Sequence, residues 1–396
     1  MPSAGQVRVA VHDLVPGLYI SQLDRPWTET PFLFQGFELR DEQELGILRD
    51  YCRYVWVDAA RSRVPIPAAS KPVSTTSQQP PGFGAGLSRC QQRRQQAKAI
   101  LRPVFEQLSE DTAASVETLG ESLNNLNREL INHPDAMLWL NALYEPDQRL
   151  ISHSLNVCTL SLLMAEQLNL SMENRTALGM AALLHDVGKL GLPDRIVFEP
   201  LQLRMDDWEQ IHAMPVRGAE RLKRCGLSEM VIEMVHRHQE HLNGDGFPRQ
   251  LRGTRELSLE TRILGLANAY DAMTADWPRR PALSGHEAAV RLNRIQADRW
   301  GRECMEGLRR ALGVYPPGTQ VLLTSGDKAV VIMSQPQTRL RPTVVIHEKA
   351  AGQAPESMAL TDLSMPGCRH RIERPLPAHP KQGELLAHIT HRLLAA

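Results

Sequence analysis

The sequence predicts a mainly α-helical protein with a small α/β unit at its N-terminus and a short β unit near its C-terminus. Residues 137–313 are predicted to be almost wholly helical, because apolar residues recur there at three- and four-residue steps. Strand patterns flank this region: "QVRVAV" and "YVWVDA" precede it, and "TQVLLTSG", "KAVVIMS" and "RPTVVIHE" follow it. A chain of 396 residues is long enough for two or three domains.

Composition and periodicity divide the chain into five predicted parts. Residues 1–60 form the small α/β domain, in which an acidic helical segment lies between two strands. Residues 61–87 form a flexible linker, because a stretch so rich in Pro, Ser, Gln and Gly cannot bury a core. Connecting helices over 88–136 lead into the helical domain at 137–313, and residues 314–396 form the small β unit and a tail.

Charge and cysteine usage exclude several classes of protein. Lys plus Arg number 45 and so do Asp plus Glu, so no overall field attracts nucleic acid or an acidic membrane. No apolar run approaches the roughly 20 residues of a membrane span, and the N-terminus lacks a signal-peptide core. The six cysteines are scattered without a Cys-x-x-Cys pair, which predicts reduced thiols in a cytoplasmic protein.

The segment "AALLHDVGKLGLPDRIV" places three ionisable residues at the end of an apolar helix. His185 and Asp186 are adjacent there, so both can reach one ion at the helix edge, and Lys189 projects from the same side one turn later. Imidazole and carboxylate are common metal ligands, and a carboxylate can bridge two ions. Gly188 lets the chain turn without a side chain in the way. The alternative is a hydrogen-bonded His–Asp pair with Lys189 in solvent.

The surrounding motifs favour the metal-binding alternative. His153 lies on a preceding amphipathic helix, and "VIEMVHRHQEHLNGDGFP" supplies His238 and a glycine-rich turn. "RILGLANAYDAMT" follows. In this order, the motifs resemble those of the HD-GYP domain, a branch of the HD phosphohydrolases, over residues 147–310. The first 60 residues resemble the small domain of unassigned function that often precedes HD-GYP domains in bacterial proteins.

The resemblance implies a fold, an activity and a set of site residues. It implies a helical bundle that holds two or three metal ions and hydrolyses cyclic di-GMP, a bacterial second messenger, to pGpG or GMP. Asp186 would bridge the ions and, with Lys189 gripping a phosphate oxygen, carry the catalysis. The implied metal ligands are His153, His185, Asp186, His238 and, weakly, Asn268. The implied substrate-binding residues are Lys189, Gly244, Asp245, Gly246, Phe247, Pro248 and Arg280.

Four ligand positions of the family pattern are substituted in this chain. Arg149 stands in place of a glutamate, Met214 and Gln239 stand in place of histidines, and Asn268 stands in place of an aspartate. Because a thioether and an amide are poor ligands for iron, manganese or zinc, we expect one divalent ion or none rather than two. His212 is two residues from a ligand position, so it should face away unless the helix breaks at Pro215. Phe247 replaces the family's tyrosine, and Trp277 an expected arginine.

Three functional hypotheses remain open at this point. The first is a cyclic di-GMP phosphodiesterase with a weakened site, and the second is a catalytically inactive HD-GYP receptor or scaffold acting through protein contacts. The third is a mononuclear HD enzyme acting on simpler nucleotides. The predicted partners are cyclic di-GMP or a related nucleotide, other signalling proteins, and a second copy paired through residues 88–132. Neither nucleic acid nor membrane is expected.

Overall fold

The computed structural model divides into two compact units, Met1–Pro80 and Pro81–Ala396. The first unit is described at residues 6–23, 37–39, 44–46, 48, 52, 54–58 and 61–64. The second is described at residues 83–143, 149–198, 203–275, 281–295, 297–334, 338–350, 352–353, 355, 358–365, 367–379 and 382–395. Most of the predicted linker at 61–87 lies outside the described residues.

The first unit contains a four-stranded antiparallel sheet with the order β1-β4-β2-β3. Its strands are β1 (Gln6–Ala10), β2 (Tyr19–Leu23), β3 (Phe37–Glu38) and β4 (Tyr54–Asp58). Val55 and Val57 are buried while their neighbours in β4 are only half-buried, which is the period-two pattern that predicts this strand. Both strands predicted from the sequence are present, and β2 and β3 are additional to them.

Helices make up most of the second unit. The bounds in chain order are α1 Phe83–Ser109, α2 Glu117–Asn132, α3 Pro134–Asn141, α4 Arg149–Gln167, α5 Met172–Leu184, α6 Asp194–Phe198, α7 Met205–His212, α8 Met214–Lys223, α9 Glu229–Arg237, α10 Leu259–Thr274, α11 Gly285–Ile295, α12 Ala297–Trp300 and α13 Arg302–Leu312. One core joins these helices, and α4 lies at its centre with buried residues on nearly every side. Within residues 137–313, the helices lie where the apolar periodicity predicted them.

The long helix α1 is tied to the helical bundle through a buried cation. Arg94 is 4% exposed, and its guanidinium donates to the Asn141 and Asn156 side-chain oxygens, each at 2.8 Å. Burial lowers the pKa of Arg94 to about 10, so the side chain stays charged at neutral pH. Two fixed amides thus compensate for the desolvation of this cation. The predicted pairing of residues 88–132 with a second copy stays a prediction.

The C-terminal part contains a five-stranded antiparallel sheet and a final helix. The strands are β5 Gln320–Leu323, β6 Lys328–Met333, β7 Thr343–Glu348, β8 Leu360–Asp362 and β9 Ile372–Pro375, in the order β8-β7-β6-β5-β9. The sequence predicted the first three strands but missed the others. It also missed helix α14 (Gln382–Ala395), which buries Leu386 and Ile389 in the main core. The Trp139 indole N–H donates to Thr390 Oγ1 at 2.9 Å and fixes this helix against α3.

Within the described ranges, every helix is too short or too polar to pass through a lipid bilayer.

Candidate metal centre

Two helices position the central side chains of the site. Helix α5 begins at a Ser171 cap, whose hydroxyl accepts the Asn174 backbone N–H at 3.2 Å, and ends at Leu184. His185 and Asp186 follow at once and lead into a short 3-10 turn at Val187–Lys189. His153 comes from α4, which contacts α5 along its length.

Gly188 is required by a close approach between two backbone segments. A Cβ atom built on Gly188 would lie only 1.9 Å from the Met214 carbonyl oxygen at the start of α8. The 3-10 turn can therefore pack directly against α8 only if residue 188 has no side chain. The sequence predicted a glycine that eases a turn, and the structure adds a contact with a distant helix.

The ligand atoms of His153, His185 and Asp186 converge on one point. His153 Nε2 lies 3.3 Å from His185 Nε2 and 3.3 Å from Asp186 Oδ2, and the third side of this triangle is 3.4 Å. Ligand atoms about 2.1 Å from one tetrahedral ion lie about 3.4 Å apart. The three side chains are 12%, 0% and 2% exposed, so the triangle is largely shielded from water. This donor set fits one divalent metal ion.

Hydrogen bonds at the far side of each ring fix the two histidines of this trio. His185 Nδ1 donates to the Ala182 carbonyl oxygen at 2.8 Å, and His153 Nδ1 donates to Asp271 Oδ2 at 2.7 Å. Each bond directs Nε2 into the triangle, as in the carboxylate–histidine–metal arrangements of known metal sites. The sequence motif contained Asp271, but no role was predicted for it. Its position one turn after Asn268 on α10 was the only available signal.

The trio is strongly coupled electrostatically. Burial lowers the pKa of His153, but the neighbouring Asp186 and Asp271 carboxylates outweigh it and raise the pKa to about 9. Burial also raises the pKa of Asp186, yet His185 and Lys189 beside it hold that pKa well below its usual range. An ion that binds here would therefore meet an ionised Asp186 and displace a proton from His153.

Lys189 is already paired within the site. Its Nζ lies 2.5 Å from Asp186 Oδ2, the same oxygen that belongs to the ligand triangle. The sequence predicted that Lys189 would lie on the same side as His185 and Asp186, and the structure has this arrangement. The ammonium group lies where it can contact an anion that reaches Asp186.

His238 lies beside the trio but outside the triangle. Its ring centroid is 5.2 Å from that of His185, and its Nδ1 donates to the Val235 carbonyl oxygen at 2.7 Å. Burial, together with His185, lowers the pKa of His238 to about 3, so this ring is neutral. Its remaining lone pair on Nε2 accepts the Gln239 side-chain N–H at 3.1 Å. A hydrogen bond from a substituted position therefore occupies the ligand atom of His238.

The other substituted positions differ in their relation to the trio. Asn268 Oδ1 lies 3.1 Å from His153 Nε2, close enough to share an ion with it. Arg149 lines the same cleft as His153 and Asp186. A single residue, Ala213, separates the end of α7 from the start of α8 at Met214, so the chain does break near Pro215. The break does not bring His212 to the trio.

His212 instead contacts Phe247 of the glycine-rich loop. The two ring centroids are 4.7 Å apart and their planes meet at 32°. Asp245 also holds this loop. Its carboxylate accepts hydrogen bonds from the Arg299 guanidinium at 2.7 Å and from the His241 ring N–H at 2.5 Å. Gly246 packs against the 239–241 backbone, where any Cβ would lie 2.5 Å from the Gln239 carbonyl oxygen.

A cleft of about 520 Å³ opens onto the trio. His153, Asp186, Lys189 and Asp271 contribute to one part of its lining, and residues from the C-terminal segment contribute to another. Residues 244–248 are not among the described residues that line it, so their predicted role in substrate binding stays a prediction. Arg280 and Trp277 lie outside the described residues. The substrate-binding role of Arg280 and the functional effect of Trp277 therefore stay predictions.

The fold and this site together define a helical domain built around a possible His/Asp metal group. Residues 126–303 match the model of the HD domain family, and residues 6–119 match a domain of unknown function, DUF3391. Residues 126–303 therefore belong to the HD domain family, and the relatives described below support an HD-GYP protein. The predicted family and fold class are therefore confirmed, and this family implies a divalent metal.

The chain is also similar to named proteins and to a solved structure. The cyclic di-GMP phosphodiesterase PA4108 of Pseudomonas aeruginosa is 28% identical over 380 residues, covering 92% of this chain and 91% of that protein. The 3'3'-cGAMP-specific phosphodiesterase 3 of Vibrio cholerae is 34% identical over 176 residues, or 44% of this chain and 38% of its own length. The solved structure of Bd1817, an HDG"Y"P protein from Bdellovibrio bacteriovorus, aligns with a TM-score of 0.45 at 18% identity, over 76% of this chain and 98% of that one.

Proposed function

We propose that this chain is a cyclic di-GMP phosphodiesterase that works with one metal ion. The observation that supports this proposal most directly is the ligand triangle of His153, His185 and Asp186, whose sides of 3.3–3.4 Å suit a single ion. The Pseudomonas aeruginosa relative, which is similar over 92% of the chain, bears the name of that activity.

The residues that would hold the ion are the trio, with the Asn268 amide oxygen as a weak fourth ligand. A bound divalent ion supplies Lewis-acid polarisation of a phosphate oxygen and a nucleophile near neutral pH. Iron, manganese and zinc all accept imidazole and carboxylate ligands, and the donor set does not discriminate among them. We propose one ion rather than two, because the Gln239 amide already occupies His238 Nε2.

The side chains themselves would bind and orient the phosphodiester. Lys189 lies beside the ligand triangle, so its ammonium can exchange its contact with Asp186 for a phosphate oxygen. Arg149 adds a second cation to the lining of the cleft. Asp271 holds His153 in its orientation through the 2.7 Å hydrogen bond. In the reaction, a water oxygen bonds to phosphorus, the bond from phosphorus to the 3′-oxygen breaks, and that oxygen takes a proton to give pGpG.

A second candidate function is a receptor that binds cyclic di-GMP without hydrolysing it. The hydrogen bond between Gln239 and His238 favours this candidate, because it removes a ligand that a two-ion site requires. The pairing of Lys189 with Asp186 Oδ2 favours it as well, because the ammonium competes with an ion for that oxygen.

Metal analysis combined with binding and hydrolysis assays tests both candidates. We expect about one ion per purified full-length chain and slow formation of pGpG from cyclic di-GMP. Binding without product would identify the receptor instead, and hydrolysis confined to simple nucleotides would indicate the mononuclear alternative. Two ions per unmutated chain would contradict the one-ion site.

A variant that restores the family ligands tests the same proposal from the opposite direction. The quadruple variant should gain a second ion and hydrolyse cyclic di-GMP at least about tenfold faster than the unmutated chain. Its four substitutions are Arg149→Glu, Met214→His, Gln239→His and Asn268→Asp. Metal content and initial rates measure the two effects. Unchanged ion content in a variant that still melts cooperatively would mean that these four positions do not limit metal binding.

A further inference from the structure

The cleft has a wall that lies outside the region matched by the HD domain model. That match ends at residue 303, whereas Ala378, His379, Gln382, Gly383 and Glu384 also line the cleft that contains His153, Asp186 and Lys189. We call these five residues, 378–379 and 382–384, the C-terminal wall. A volume of about 520 Å³ lies within the range of small-molecule sites, so one ligand can contact both parts of the lining.

The C-terminal wall is held firmly by the core of the second unit. Helix α14 buries Leu386 and Ile389 completely or nearly so. The Trp139–Thr390 hydrogen bond fixes the same helix one turn further along. At the wall itself, the Gln382 side-chain N–H donates to the Gly318 carbonyl oxygen at 3.2 Å. These contacts make the wall a rigid surface of the kind that determines ligand specificity.

Glu384 differs from the other carboxylates that line the cleft. Asp186 accepts from Lys189, and Asp271 accepts from His153. Glu384 is exposed and lines the cleft, and none of the described residues forms an ion pair or hydrogen bond with its carboxylate. A carboxylate at this place repels the phosphates of a dianionic ligand unless it accepts hydrogen bonds from another part of that ligand.

From this arrangement we infer that Glu384 binds the donor edge of a guanine and selects cyclic di-GMP over adenine-containing cyclic dinucleotides. The inference rests on the proposed function, since it concerns the ligand of the same cleft. Guanine presents two adjacent donors, N1–H and the exocyclic amino group, which match the two acceptor oxygens of a carboxylate. Adenine presents an acceptor nitrogen beside its amino group, and that nitrogen repels a carboxylate. Selectivity for the base matters for this cleft, because relatives of this chain are named for different cyclic dinucleotides.

Calorimetric binding of cyclic di-GMP and cyclic di-AMP to the full-length chain tests the inference. Glu384→Gln should weaken cyclic di-GMP binding about 5- to 100-fold, because the amide replaces one acceptor with a donor. It should leave cyclic di-AMP binding unchanged or improve it, since an amide matches the donor–acceptor edge of adenine. Glu384→Asp, which retains the carboxylate, should keep the preference for guanine.

Glu117→Gln is the matched control. Glu117 is an exposed glutamate in the first turn of α2, as Glu384 is in the first turn of α14, and it does not line the cleft. It should bind both nucleotides as the unmutated protein does. Metal content should be equal in all these variants, because Glu384 does not belong to the ligand triangle.

The outcomes separate this inference from the proposed function. Equal affinities for cyclic di-GMP in Glu384→Gln and the unmutated chain would overturn the inference and leave the proposed function intact. An equal loss of both nucleotides would also overturn it, because that result indicates a structural role for Glu384. If the unmutated chain bound neither nucleotide, the proposed function and the inference would both fail.

Discussion

The trio of His153, His185 and Asp186 and the neighbouring pair of His238 and Gln239 are built alike but differ in what they can bind. His185 and His238 each follow a helix, and each donates Nδ1–H to the carbonyl oxygen three residues earlier, at 2.8 and 2.7 Å. Both rings therefore direct Nε2 toward the interior of the site. His185 faces another imidazole and a carboxylate, whereas His238 faces a donor amide.

This difference separates the orientation of a ligand from its availability. A helix end fixes the ring of a histidine through a local backbone contact, so the orientation survives when other ligands are lost. Whether the ring can bind an ion depends on the side chains opposite Nε2. In this chain the Gln239 side-chain amide donates to Nε2 of His238 and occupies it.

Removing the carboxylate of the trio should have the largest effect on metal binding and hydrolysis. Asp186→Asn eliminates the charged ligand and leaves Lys189 without its partner, so we expect metal affinity to fall more than about 100-fold and hydrolysis to disappear. Elemental analysis and a cyclic di-GMP assay measure both. Asp194→Asn, at an exposed aspartate in the first turn of α6, is the control and should retain the ion. Full metal content in Asp186→Asn would remove Asp186 from the set of ligands.

A smaller effect is expected from loosening one ring of the trio. Asp271→Asn weakens the hydrogen bond that orients His153, and the loss of such a partner reduces metal affinity about 10- to 100-fold. Asp245→Asn provides the contrast, because Asp245 forms the same kind of bond with His241 outside the trio. Competition with a graded chelator should separate the two variants. Equal affinities would mean that Asp271 does not position His153.

The smallest effect on metal binding should come from a substitution in the pair of His238 and Gln239. Gln239→Leu removes the donor to His238 and leaves a buried acceptor unsatisfied, which costs about 1–3 kcal/mol in the free energy of unfolding. The ion content should stay the same, because a freed His238 would still lack the second histidine ligand that Met214 replaces. Chemical denaturation and metal analysis provide the two measurements. A second ion in this variant would mean that the Gln239 amide alone keeps His238 from binding metal.

Local sequence was sufficient to predict most of the secondary structure and part of the site. The helices α4, α5, α7 to α11 and α13 follow apolar stripes that are visible in the sequence, and the strands β5 to β7 follow short apolar runs. Helix α14 was not predicted, although the apolar residues of "LLAHITHRLL" recur at a helical spacing. The adjacency of His185 and Asp186 is itself a sequence property.

The sequence by itself determined which residue types could bind an ion and which family positions had been substituted, because motif spacing along one helix end fixes which side chains share a face. Only the tertiary structure decided that His153 joins them, that Asp271 holds His153, and that the Gln239 amide occupies His238. It also decided that residues 378–379 and 382–384 line the same cleft. The hydrogen bond between His153 and Asp271 joins residues 118 positions apart, and such pairs are set by the packing of helices rather than by any local pattern.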